Sequence, residues 1–146
     1  MVFFCLIFAV YGVFMLYVLL GLKRLRCKHV NHPNYPEVSI VIPVHNEEAS
    51  LLNTLKSLKA QNYAGKWEVI WVNDRSTDQS LEILTQFCQD IEHFKVLSIP
   101  SAEGYVPFAK KRAMDRGIAA AKYDILMSSD ADCLPPVNWI ASMLAN

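Results

Sequence analysis

The sequence predicts an α/β chain: a mostly parallel sheet with helices on both faces, preceded by one transmembrane helix. Three observations carry this expectation. From residue 37 onward, short apolar β-branched runs alternate with stretches of helical period. Residues 2–22 form an apolar head without a charge or a proline. Polar and acidic residues gather where the apolar runs end.

The head reads VFFCLIFAVYGVFMLYVLLGL. A helix of that length reaches about 30 Å, the thickness of a hydrocarbon core. A secretory leader would carry its basic residues before the apolar run and a small-residue cleavage site after it. Here Lys23, Arg24, Arg26 and Lys28 follow the run. A buried core helix would show a polar face, and this one has none. The expectation is a single membrane span over residues 2–22. Basic flanks stay cytoplasmic, so the body after the collar is expected in the cytosol. Residues 23–36 read as basic collar and linker, with two prolines and two asparagines in HVNHPNYP (29–36).

The body, residues 37–146, supplies the sheet. VSIVIP (38–43) is a continuous apolar strand of the kind buried on both faces. Leu51, Leu52, Leu55 and Leu58 fall at helical spacing, with Ser50 as expected cap. WEVIWVN (67–73) is a second strand. Leu81, Leu84, Cys88 and Ile91 mark a second helix opened by Ser76-Thr77-Asp78. KVLSIP (95–100) is a third strand. The loop SAEGYVP leads to a helix over about 108–121 that contains Gly117. DILMSS (124–129) is a fourth strand, and VNWIASMLA begins another helix.

Composition narrows the function. The chain has 146 residues, 53% of them apolar, and a mean hydropathy of +0.19, which suits one modest core plus a membrane segment. Fourteen basic residues balance fourteen acidic ones, so a nucleic-acid partner is not expected. Cys5, Cys27, Cys88 and Cys133 form no CxxC pair or zinc spacing and read as reduced thiols. Dinucleotide, P-loop and nucleophile-elbow motifs are all missing.

Ligands of parallel sheets bind beyond the carboxyl ends of the strands. Those ends carry Pro43, His45 and Glu47, then Asp74, then Asp130-Ala131-Asp132. Two aspartates one residue apart suit Mg²⁺ or Mn²⁺, which favours carboxylate oxygen, although a solvated turn has the same spacing. Asp74 can cap the following helix or accept a hydrogen bond from a base, such as the N–H of uracil. His45 and Glu47 can be ordinary loop residues, or the histidine can stack on a base. Lys110-Lys111-Arg112 opens the third helix, and a solvated face is the plain reading for Lys111.

Together these segments resemble the family 2 glycosyltransferases. VSIVIPVHNEEASLLNTLKSL resembles their opening, VIWVNDRSTDQS their V-D-D-G-S-T-D segment, and AKKRAMDRGIAAAKYDILMSSDADC the stretch that leads into their D-x-D strand. The resemblance spans about residues 37–136. It implies an inverting enzyme with a Rossmann-like, GT-A-type sheet that binds a nucleotide-sugar, most simply a uridine diphosphate sugar. It places Pro43, His45 and Glu47 beside the nucleotide, Asp74 on the uracil, Lys110 near the nucleotide, Asp130 toward ribose and diphosphate, and Asp132 on the metal. Asn73, Arg75 and Asp115 depart from the family's usual aspartate, glycine and asparagine.

The resemblance also implies partners: a nucleotide-sugar donor, a membrane, and a glycan or lipid-linked acceptor. An inverting transfer needs a general base, which this family carries downstream, so the catalytic carboxylate is expected beyond Asn146. Three other readings are a nucleotide-binding remnant without transfer, a membrane-tethered structural domain with no ligand, and a sugar-nucleotidyltransferase. The last would want a glycine-rich phosphate loop after the first strand, and VHNEEAS has no glycine.

Overall fold

The computed structural model describes residues 2–24, 35–100 and 109–144. Contacts divide the chain into two units, residues 1–31 with 145–146, and residues 32–144. The first is the helix α1, Val2–Arg24. Its described side chains are exposed, among them Phe8, Val13, Phe14 and Tyr17. The span expected over residues 2–22 is met only as a helix. Among the described residues no helix is long and apolar enough to cross a membrane. Arg26, Lys28, most of the linker, the loop at 101–108, Cys5 and Cys27 lie outside the described residues or side chains.

The second unit is the expected α/β body. Strands β1 (Val38–Val44), β2 (Trp67–Asp74), β3 (Phe94–Ile99) and β4 (Ile125–Ser128) alternate with helices α2 (Glu48–Lys59), α3 (Ser80–Cys88), α4 (Ala109–Ala119) and α5 (Trp139–Leu144). Every strand pair is parallel, in the order β3-β2-β1-β4. Successive side chains of a strand point to opposite faces, so each apolar run feeds two cores. Val38, Ile40, Ile42, Val69 and Trp71 pack with Leu51, Leu55, Leu58, Leu84 and Ile140. Val41, Ile70 and Val72 pack with Ala113, Met114 and Ile99. Helices α2, α3 and α5 thus supply one layer and α4 the other.

Some local expectations change. α2 starts at Glu48, with Glu47 as N-cap and no side-chain cap bond. Ser50 lies inside the first turn and donates back to Glu47. Leu52 and Leu81 are exposed, and β4 is an edge strand in which only Met127 is buried. Ile91 is buried but lies past the end of α3.

The order reverses at β1. The chain runs outward from β1 through β2 to β3, then returns to lay β4 on the opposite flank of β1. Pairing of β1 with β4 stops at Val41–Ser128, while pairing with β2 continues to Val44–Asn73. Pro43, which has no N–H to extend a ladder, sits where β1 and β4 part. The crevice opens there.

Candidate nucleotide site at the strand ends

The crevice holds a pocket of about 360 Å³ lined by Pro43, Val44, His45, Glu47, Asp74, Lys110, Ala113, Asp130, Ala131 and Asp132. All seven residues expected from the sequence converge on it, from β1 and the loop after it, the end of β2, the start of α4 and the segment after β4. Such a crevice at a switch point is the usual ligand site of an open parallel sheet.

Two loops brace each other at its rim. Asn46 (φ 56°) and Arg75 (φ 55°) turn the chain after β1 and β2 in the left-handed region. The Asn46 amide donates to Ser76 Oγ (3.1 Å), and its Oδ1 accepts from the Thr77 amide (2.7 Å). The Glu47 amide donates to Ser80 Oγ (2.8 Å) and the Glu48 amide to Asp78 Oδ2 (3.0 Å). In return Glu48 Oε2 accepts from the Gln79 amide (2.9 Å). Helix N-termini have orphan amides to satisfy. Here α2 and α3 satisfy part of each other's, which fixes the loops that carry His45, Glu47 and Asp74. The expected cap of α3 at Ser76-Thr77-Asp78 is met in part, since Asp78 Oδ1 accepts from the Ser80 amide (3.0 Å).

His45 Nδ1 lies 2.7 Å from the Asp74 carbonyl oxygen. A carbonyl only accepts, so Nδ1 carries the proton and Nε2 is left as the other ring nitrogen. Asp74 is buried, and Arg75 Nε (2.8 Å) and Arg112 Nη2 (2.9 Å) both donate to its Oδ1. Burial pushes the Asp74 carboxyl up, but the hydrogen bonds from Arg75 and Arg112 outweigh it and hold the group below its ordinary value. Its Oδ2 is buried without a partner. A buried orphan acceptor calls for a donor.

Across the crevice, Lys110 Nζ donates to Asp130 Oδ1 at 2.6 Å, and that bond raises the lysine above its ordinary value. Ligand atoms of Asp130, Asp132 and Cys133 lie within 4.8 Å of one another, all exposed. Two carboxylates facing water fit a hard divalent cation, whereas the thiol adds a soft donor. The backbone between them is pinned from behind, because buried Thr54 donates to the Ala131 carbonyl at 2.7 Å. Ser57, further along α2, and Gln61, just past its end, donate to the carbonyls of Pro135 and Pro136. Thr54 and Ser57 fall at helical spacing on a helix otherwise read for its leucines, with Gln61 continuing the spacing just past its end, which is the trace they left in the sequence. Arg112 left less, as one of three adjacent cations.

Comparisons with known proteins agree with this geometry. The model of glycosyl transferase family 2 matches residues 39–146. An undecaprenyl-phosphate 4-deoxy-4-formamido-L-arabinose transferase of Pectobacterium carotovorum is 36% identical over 109 residues, 73% of this chain and 32% of that protein. Glycosyltransferase AglE of Haloferax volcanii is 31% identical over 104 residues, 70% of this chain and 33% of its own. The chain therefore spans about a third of the length of these relatives. Among solved structures, a Pyrobaculum calidifontis mannosyltransferase in complex with GDP-Man and Mn²⁺ superposes with TM-score 0.67 at 22% identity, over 94% of this chain and 40% of that one. S. aureus TarS 1–349 in complex with UDP gives 0.60 at 24% identity, over 75% and 31%. These likenesses show the fold. With its parallel sheet, its crevice and the family model running from β1 to Asn146, the chain belongs to glycosyl transferase family 2.

Proposed function

We propose that the chain forms the donor half of an inverting glycosyltransferase that takes its sugar from a nucleotide-sugar, a uridine diphosphate sugar. One observation carries the reading. At the switch point, a buried aspartate with an orphan oxygen faces an exposed pair of aspartates across a single pocket. A nucleotide diphosphate needs those two chemistries, an acceptor for its base and a cation site for its phosphates. Neighbouring folds support it, since their structures hold GDP-Man with Mn²⁺, UDP, or UDP with Mn²⁺.

The roles follow from placement. Asp74 Oδ2 accepts from the base, and the walls at Pro43, His45 and Glu47 hold the nucleoside. Asp132 and Asp130 would hold Mg²⁺ or Mn²⁺. When bound, the cation offsets the negative charge that builds on the departing diphosphate. Lys110 lies beside Asp130 and supplies a second positive charge for the same phosphates. Asp74 is held by two guanidiniums and Asp130 by Lys110, which leaves neither free to take an acceptor's proton. We therefore place the general base in the part of the fold that the longer relatives carry beyond the matched segment.

The reading extends to a membrane. The uncharged head and the basic collar behind it suit an anchor with the body on the cytosolic side, and a glycan or lipid-linked acceptor would then meet the site at the bilayer surface.

Titration calorimetry with uridine diphosphate and with free uridine, each with and without Mn²⁺, tests the donor site. Asp132→Asn should abolish the Mn²⁺-dependent part of diphosphate binding and leave uridine unchanged. Asp74→Asn should weaken both, by roughly 1.5–3 kcal/mol for a lost charged hydrogen bond. Intact Mn²⁺-dependent binding in Asp132→Asn would remove the metal assignment.

A further inference from the structure

Arg75 stands in the left-handed region at φ 55°, a conformation that costs a long side chain and not a glycine. Strain of this kind persists where the surroundings over-determine it. Here the side chain that follows the strained backbone folds back so that Nε donates to Asp74 Oδ1, while Arg112 reaches the same oxygen from α4. Both guanidiniums are largely buried, with side-chain exposures of 18% and 16%.

The consequence is an asymmetric carboxylate. An ionised carboxylate offers about four acceptor positions, two on each oxygen. The two arginines take both positions on Oδ1. Exchanging the oxygens by rotation would break two charge-assisted bonds, which are the strong ones. Only Oδ2 is left, buried, without a partner, on a residue that lines the pocket.

Resting on the nucleotide-site reading above, we infer that Arg75 and Arg112 are positioning residues that set base selectivity, by limiting Asp74 to one acceptor oxygen and so favouring uracil over guanine. The edge chemistry gives the reason. Uracil presents one N–H, at N3, between two carbonyls, and one oxygen satisfies it. Guanine presents N1–H and the N2 amine side by side, which pair with a carboxylate through both oxygens. With Oδ1 filled, one guanine donor would be left unpaired in a buried site, next to two guanidiniums that also donate. Cytosine and adenine each place a ring nitrogen lone pair against the carboxylate.

The test compares uridine and guanosine diphosphates by titration calorimetry with Mn²⁺, on the whole chain and on Arg75→Gly. Glycine suits the left-handed backbone, so the variant should melt as cooperatively as the parent. The parent should bind uridine diphosphate at least about tenfold more tightly than guanosine diphosphate, the factor expected from one unpaired buried donor. Arg75→Gly returns a position on Oδ1 and should shrink that ratio at least about threefold, through tighter guanosine diphosphate binding. A parent that binds both nucleotides equally, or a folded variant with an unchanged ratio, would overturn the inference. A parent that binds neither would overturn the nucleotide site itself.

Discussion

At Asp74 two effects oppose each other. Burial disfavours the charged carboxylate, while two arginine hydrogen bonds favour it, and the bonds win. Glu68 repeats the balance at the other end of the sheet. Burial raises it, and Lys95, the Ser39 hydroxyl and the Lys122 amide together hold it below its ordinary value. A carboxylate with a depressed folded pKa adds stability above its unfolded value, and that stability is lost as pH falls through the folded value. Acid titration of thermal stability should therefore be flat above the ordinary values of 3.8 for Asp74 and 4.5 for Glu68, and decline below them. Glu68→Gln should lower stability at neutral pH and flatten the acid decline. An unchanged acid limb would mean that the Glu68 network adds nothing to the fold. Asp74 could be singled out in the sequence because it ends an apolar strand. Its partner Arg112 could not, since 38 residues separate them and only the packing of α4 on the sheet brings them together.

Helix α4 shows how an element is held to its sheet. Gly117 reads in the sequence as a weak point in a helix, because glycine costs about 1 kcal/mol there relative to alanine. The structure gives its reason. A Cβ at Gly117 would lie 2.2 Å from Val41 Cγ1 and 3.0 Å from Val72 Cγ2, on the two central strands. Close approach of the helix needs that hydrogen. Gly117→Ala sets a propensity gain of about 1 kcal/mol against an overpacking cost of about 1–3 kcal/mol. Because Val41 and Val72 are fully buried, the cost should win. Urea denaturation should show a loss of stability, and a more stable variant would mean that α4 can move off the sheet. α2 carries the complementary lesson. Its leucines announce the core, but its Thr54 and Ser57, with Gln61 just past its end, hold the carbonyls of Ala131, Pro135 and Pro136, and that bond pattern depends on partners over 70 residues away. Cys88 belongs to the core as expected of a structural thiol, with burial pushing it up to about 11.

Over the whole molecule, the question is which surfaces are left apolar. In the body, Ile125 and Leu126 of β4 are exposed, as are Leu134, Val137 and Met143 further along the chain. In α1 the described apolar side chains face outward along the helix. The anchor proposed for α1 rests on the uncharged sequence of residues 2–22 and the basic collar after it. Expressed in cells, a cysteine placed at residue 60 should resist a membrane-impermeant thiol reagent until the cells are opened, and the chain should sediment with membranes. Labelling in intact cells would reverse the topology, and recovery of the chain without detergent would remove the anchor.

Alternation of apolar runs with helical spacing was enough to determine four strands, their helices and the parallel class, because a run buried on both faces leaves few other arrangements. It also placed every expected site residue at a strand end or helix start. The edge position of β4, the mutual capping of α2 and α3, and the double hold on Asp74 Oδ1 were decided only by the tertiary structure. Periodicity records which face of an element is buried, whereas these features depend on which distant atoms meet across the sheet, and no local pattern encodes that.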